Sequence, residues 1–273
     1  MRVQDRATLR IRPDADGQHT LTPEDAGWRY IGFLVRRLAP RQPFTFQTAD
    51  SEAAIVVLGG VIDVRSPAGE WPALGRRRDV FDGPPFALYL PPGTDVEASS
   101  DGGAVVAVGL ARSDRPGEAR LIRPEDIAVE LRGAGNAART IYHVIPPEFP
   151  AHRLLLVEVL TPPGHWSSYP PHKHDADKPP AEVQLEEVYY HRQDGPKGFA
   201  FQRVYTDHRD LDETLTVQDG DLVLVPRGYH VVAQAYGYRG YYLNVLAGDR
   251  RSMAATDDAP HAWIRQQWAA PVD

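Results

Sequence analysis

The sequence predicts an all-β protein made of two similar barrels, and three observations carry that reading. Short runs of β-branched and aliphatic residues recur at close intervals, the chain holds 23 glycines and 25 prolines that punctuate them, and one strand-plus-turn phrase occurs twice. In order, the strand-like runs are residues 53–64 (AAIVVLGGVIDV), 86–90, 104–110, 154–160, 183–190, 199–205, 221–225 and 240–246. Helical signals are few. Thr22 followed by PEDA reads as a capped turn, and HAWIRQQW near the C-terminus as a short helix. The repeated phrase is ALYLPPG at 87–93 and LVLVPRG at 222–228, so the corner prolines Pro91 and Pro226 stand 135 residues apart, about half of the 273. Duplication of one small barrel follows, with a boundary expected in the Gly- and Pro-rich stretches 133–138 or 146–150 and drawn between residues 138 and 139.

Composition excludes several classes of function. The chain has no cysteine, so disulfide frameworks, zinc–thiolate sites, iron–sulfur clusters and thiol nucleophiles are ruled out, and any metal must rest on nitrogen and oxygen. A net charge of −7 argues against nucleic acid as a partner. The longest apolar stretches fall far short of the roughly 20 residues of a membrane span, and the first twenty residues lack an apolar core, so a cytoplasmic protein is expected.

The histidines are distributed unevenly. All ten lie at 19, 143, 152, 165, 172, 174, 191, 208, 230 and 261, which leaves none between 20 and 142 and gives the first half no histidine site of its own. In the second half, His172 and His174 flank Lys173, and on an extended strand alternate side chains share a face. Glu187 in LEEVYY and His230 after the second Pro-x-Gly corner would complete a site of three nitrogens and one oxygen. Such a set suits zinc or manganese first, and also iron, nickel or cobalt. A lone His-x-His is common by chance; the downstream carboxylate and the Gly-x5-Pro-x-Gly-x-His phrase at 220–230 raise it to a candidate metal site.

This order of ligands resembles the cupin superfamily, whose two sequence blocks supply two histidines with a glutamate and then a third histidine. Here Glu187 follows His174 by 13 residues, so a loop must be inserted, and the choice of Glu187 over Glu182 or Glu186 rests on the resemblance and on strand parity. Longer phrases are similar to the 5-deoxy-glucuronate isomerase family of myo-inositol degradation: WSSYPPHKHD (166–175), LEEVYY (185–190), GFAFQRVYT (198–206), LDE (211–213), VPRGYH (225–230), YYLNVLAG (241–248), GRRRDVFDGPP (75–85) and LYLPPGT (88–94). Departures are small, Val231 standing where that family usually has proline and His165 where it has a small polar residue. The resemblance implies a bicupin of two jelly-roll-like β-barrel domains, residues 1–138 without a metal and residues 139–273 with the metal and active site.

It also implies an intramolecular aldose–ketose isomerase that converts 5-deoxy-D-glucuronate to 5-dehydro-2-deoxy-D-gluconate with a divalent metal ion. Such chemistry needs a polarised carbonyl, a proton shuttle and a cationic seat for the substrate carboxylate. Tyr189 shares strand parity with Glu187 and is the candidate acid or hydrogen-bond donor. Arg203 is the candidate carboxylate ligand, and Gln202 takes its place if that strand has the opposite register. Lys173 should point away from the site. Two other readings stand beside this one: isomerisation of a related uronate such as 5-keto-4-deoxyuronate, and a metal-holding cupin that binds a sugar acid without turnover. A homo-oligomer fits either.

Overall fold

The structure, a computed structural model, describes residues 9–268. Its strands form four antiparallel sheets. A four-stranded sheet (Phe44–Gln47, Ile62–Ser66, Gly69–Leu74, Asp95–Ser99) faces a six-stranded one whose centre is Ser51–Gly60 between Ala87–Leu90 and Ala104–Arg112. A seven-stranded sheet, in which Glu186–Gln193 lies between Leu222–Val225 and the central Gly240–Ala247, faces a five-stranded one that includes Trp166–Lys173, Phe199–Tyr205 and Tyr229–Gln234. Each facing pair is one jelly-roll-like barrel, so the bicupin architecture expected from the sequence is the one observed.

The two larger sheets are buried on both faces, which is why their strands read as unbroken apolar runs rather than alternating ones. One core fills the first barrel with Ile55, Val57, Leu88, Leu90 and Val106, and another fills the second with Val157, Val159, Val223, Val225 and Val232. A third lies between the six- and seven-stranded sheets, where Phe33, Val56 and Ala107 of one meet Val188, Tyr190 and Val245 of the other. The approach is close: a Cβ on Gly109 would stand 2.9 Å from Val245 Cγ2.

Two carboxylates lock this contact reciprocally. Glu52 of the first barrel accepts hydrogen bonds from the backbone N–H groups of His152, Arg153 and Leu154 at 2.6–2.8 Å, and Glu186 of the second accepts from those of Arg29, Tyr30 and Ile31 at 2.6–3.0 Å. Across the barrels Arg77 and Glu158 form a buried two-pronged pair at 2.9 and 2.7 Å.

Some boundaries differ from expectation. The run 53–64 breaks into Ser51–Gly60 and Ile62–Ser66, because Gly60 takes a positive φ of 87° with backbone atoms packed against its α-carbon. Strand pairing passes from the first barrel to the second between Arg120–Ile122 and Ala128–Arg132, ahead of residue 138, since Ala128–Arg132 pairs with Arg139–Ile145. The N-terminal strand Arg10–Ile11 pairs with Leu222–Val225 of the second barrel. The helix Pro23–Ala26 forms as read, with Thr22 accepting from the Asp25 N–H, and the C-terminal helix spans Ile264–Trp268.

Candidate metal centre

Three strands and one connection bring the predicted ligands to one end of the second barrel. His172 lies in Trp166–Lys173 and pairs directly with His230 of Tyr229–Gln234, His174 follows that first strand by one residue, and Glu187 is the second residue of Glu186–Gln193. Alternation then settles the choice of carboxylate: Glu187 points into the barrel and Glu186 toward the first barrel. Ala53 stands at the matching place of the first barrel, because Ala53 pairs with Leu90 before one Pro-x-Gly corner as Glu187 pairs with Val225 before the other. Among the described residues, the one group of three or more potential metal ligands with converging donor atoms is His174, Glu187 and His230, all buried and within 4.8 Å of one another.

The hydrogen bonds fix which nitrogen of each ring faces the centre. Nδ1 of His172 donates to Pro170 O at 3.2 Å, Nδ1 of His174 to Leu185 O at 3.0 Å and Nδ1 of His230 to Gly228 O at 3.2 Å. A carbonyl oxygen only accepts, so each Nδ1 carries a proton and each Nε2 is the nitrogen turned toward the centre, free to ligate in the neutral ring. His174 Nε2 and His230 Nε2 stand 2.9 and 3.1 Å from the same oxygen, Glu187 Oε2. The second approach is misaligned for a hydrogen bond, and buried His230 Nε2 has no partner. Electron pairs turned on one another in a buried space are costly unless a positive species lies among them, so this donor set fits a divalent cation. Asn244 Nδ2 donates to Glu187 Oε1 at 2.7 Å and orients the carboxylate. The His172 ring lies edge-on to that of His230, centroids 4.7 Å apart, beside the convergent trio and more exposed than it.

Electrostatics suit a cation at Glu187 and His172, and at His174 they favour a proton in the place an ion would take. Burial pushes the Glu187 carboxyl upward, but His230 and His174 outweigh it and hold the group well below the usual carboxylate range. Burial together with His230 and His174 drives His172 well below its ordinary value, which keeps it neutral and able to ligate. For His174 burial is opposed, and overcome, by the hydrogen bond and charge of Glu187.

The remaining predicted residues divide by strand register. Tyr189 points inward and is buried, its hydroxyl 2.9 Å from Ser168 Oγ, which also lies 3.0 Å from the Tyr242 hydroxyl. Gln202 points inward too: its Oε1 accepts from His191 Nε2 at 2.8 Å and its buried Nε2 has no partner. Arg203 therefore points out, paired with Asp212 through two hydrogen bonds of 2.8 Å, so the expectation that it seats a carboxylate inside the barrel is corrected. Lys173 turns away from the histidines to Asp207 and over the Tyr229 ring.

Sequence reasoning missed Asn244, Ser168, Tyr242 and His191. Asn244 and Tyr242 alternate inward in YYLNVLAG, a parity that becomes readable once that strand is paired with Glu186–Gln193. Ser168 holds a left-handed φ of 49°, which no pattern announces. Two open surface grooves, one along residues 45–47 and 65–67 and one around 120–123 and 143–149, share no residue with the cluster.

Comparisons with known proteins follow this geometry closely. The family model described as the KduI/IolB family matches residues 9–264. The 5-deoxy-glucuronate isomerase of Geobacillus kaustophilus is 47% identical over 249 residues, 90% of each chain, and that of Bacillus subtilis strain 168 is 40% identical over 251 residues, 91% of this chain and 93% of its own. An IolB-like protein from Salmonella typhimurium superposes with a TM-score of 0.92 at 38% identity, over 94% of this chain and 99% of its own. An oxalate decarboxylase from Lactobacillus farciminis shares the fold alone, with a TM-score of 0.67 at 12% identity over 92% of this chain and 89% of its own. Among the described residues no helix is long and apolar enough to cross a membrane.

Proposed function

The chain belongs to the KduI/IolB family, and from that premise we propose that it is a 5-deoxy-glucuronate isomerase, an intramolecular aldose–ketose isomerase acting on a sugar acid in myo-inositol degradation. The reaction moves hydrogen between adjacent carbons of 5-deoxy-D-glucuronate to give 5-dehydro-2-deoxy-D-gluconate. The observation that carries the reading to this chain's own residues is the buried convergence of His174, Glu187 and His230 on one point, beside His172.

His174, Glu187 and His230, with His172, would hold a divalent ion, zinc or manganese by preference for nitrogen and oxygen donors. When bound, such an ion supplies Lewis-acid polarisation of the substrate carbonyl. The protein's part is to place the sugar and manage a proton. Burial raises the Tyr189 hydroxyl well above its ordinary value, with Glu187 and Tyr242 adding to the rise, so Tyr189 acts as a proton-bearing donor toward a substrate oxygen. Ser168 and Tyr242 continue that hydroxyl chain. The unpaired Nε2 of Gln202 is a second inward donor.

A product assay tests the reading. Purified protein is expected to convert 5-deoxy-D-glucuronate, with slower or no conversion of 5-keto-4-deoxyuronate. Preference for the second substrate would reassign it, and tight binding of both without turnover would make it a sugar-acid binding protein.

A further inference from the structure

Among the described residues two arginines are buried to 5% exposure, and their surroundings differ. Arg77 is matched by Glu158. Arg139 has only neutral partners, Ala137 O at 2.9 Å and Tyr169 O at 3.0 Å, and forms no ion pair with any carboxylate among the described residues. Trp268 lies over its guanidinium at 5.5 Å. Burial pushes its pKa down to about 10, and Arg132 and Arg265 add to the fall while Tyr242 and, more weakly, the Glu130 carboxylate oppose it; the group is still a cation near neutrality. A buried cation with no carboxylate in direct contact is costly to keep.

Its place bears on the site. Ser167 pairs with Val232 and His172 with His230, so five steps along Trp166–Lys173 stand opposite two along Tyr229–Gln234. The extra residues bulge from the ladder between the hydroxyl relay at Ser168 and the metal ligand His172. Arg139 holds that bulge by the carbonyl of Tyr169, three residues before His172. Sequence reasoning wanted a cationic seat for the substrate carboxylate and chose Arg203, which is turned outward onto Asp212.

Resting on the isomerase reading above, we propose that Arg139 is the carboxylate-binding residue of the active site, its guanidinium taking the anionic end of the uronate while the carbonyl end meets the metal ligands. The planar fork has five N–H donors, so it can keep its two carbonyl partners and still present two or more to a carboxylate, where a lysine ammonium would have one left.

The test compares 5-deoxy-D-glucuronate with its neutral counterpart, in which a hydroxymethyl group replaces the carboxylate, on metal-loaded protein. Arg139→Gln is expected to lower kcat/KM for the acid by about 30-fold or more, mainly through KM, and to leave the neutral sugar within about threefold. Arg139→Lys, which keeps the charge, should show a smaller loss confined to the acid, and it serves alone if the glutamine variant does not fold. An equal loss on both sugars would make Arg139 a structural pin and overturn the proposal, as would an unchanged acid. If the unmutated protein converts neither sugar, the isomerase reading fails by itself. Calorimetry with D-glucuronate then judges the seat: binding that weakens in Arg139→Gln supports it, and equal binding overturns it.

Discussion

Glu187 shows how much one residue's environment decides. Its Oε2 faces two histidine nitrogens and its Oε1 is held by Asn244, so the carboxylate is aimed before any ion arrives. Replacing Asn244 by leucine removes that aim, and divalent-ion affinity measured by chelator competition should fall about 10–100-fold. His191, further along the same face, behaves differently. Burial lowers its pKa to about 4 from an ordinary 6.5, the hydrogen bond to Gln202 opposing part of the fall. The unfolded chain therefore binds more protons between those values, and stability present above pH 6.5 is lost as pH drops toward 4, by about 3 kcal/mol. Urea unfolding from pH 7 to pH 4 should show a loss smaller by about this amount in His191→Gln than in the wild type, the other buried histidines contributing equally to both; parallel curves would contradict it.

At the scale of elements, legibility depended on whether a strand's two faces differ chemically. In Glu186–Gln193 the alternation sends Glu187, Tyr189, His191 and Gln193 into the barrel and Val188 and Tyr190 onto the first barrel. The inward parity there is polar throughout while Val188 and Tyr190 hold the middle of the other, so the sequence sufficed to pair Tyr189 with Glu187. Phe199–Tyr205 (FAFQRVY) carries large apolar groups at both parities, its phenylalanines half out and Ala200 and Val204 in, so Gln202 and Arg203 could be assigned only from the ladder with Tyr229–Gln234. The bulge before His172 was equally hidden, since it depends on how far the partner strand runs. Packing between elements gives a prediction of its own. Gly109→Ala would drive a methyl group into Val245 between the two large sheets and should cost about 1–3 kcal/mol in denaturant unfolding; no loss would mean that the sheets stand further apart.

For the whole molecule, the repeated Pro-x-Gly corners revealed the duplication, and the empty first half of the histidine map revealed which barrel holds the candidate metal ligands. The crossings between barrels were not readable: Arg10–Ile11 joining the second barrel's sheet, and Glu52 and Glu186 each capping the other barrel's backbone, depend on contacts between residues far apart in sequence. Glu52→Ala strands three backbone donors and the Tyr89 hydroxyl, and should cost about 3 kcal/mol or more. With so much apolar and hydrogen-bonded surface shared, both barrels should unfold in one transition, and two separate calorimetric peaks would refute that coupling. The central claim is that the convergent His174, Glu187 and His230 hold a divalent ion on which sugar-acid isomerisation depends. It is tested most directly by following conversion of 5-deoxy-D-glucuronate before chelation, after chelation and after a divalent ion is returned, with Glu187→Gln alongside. Loss and recovery of turnover in the wild type, and none in Glu187→Gln, is the predicted result; undiminished turnover by protein shown to be metal-free would contradict it.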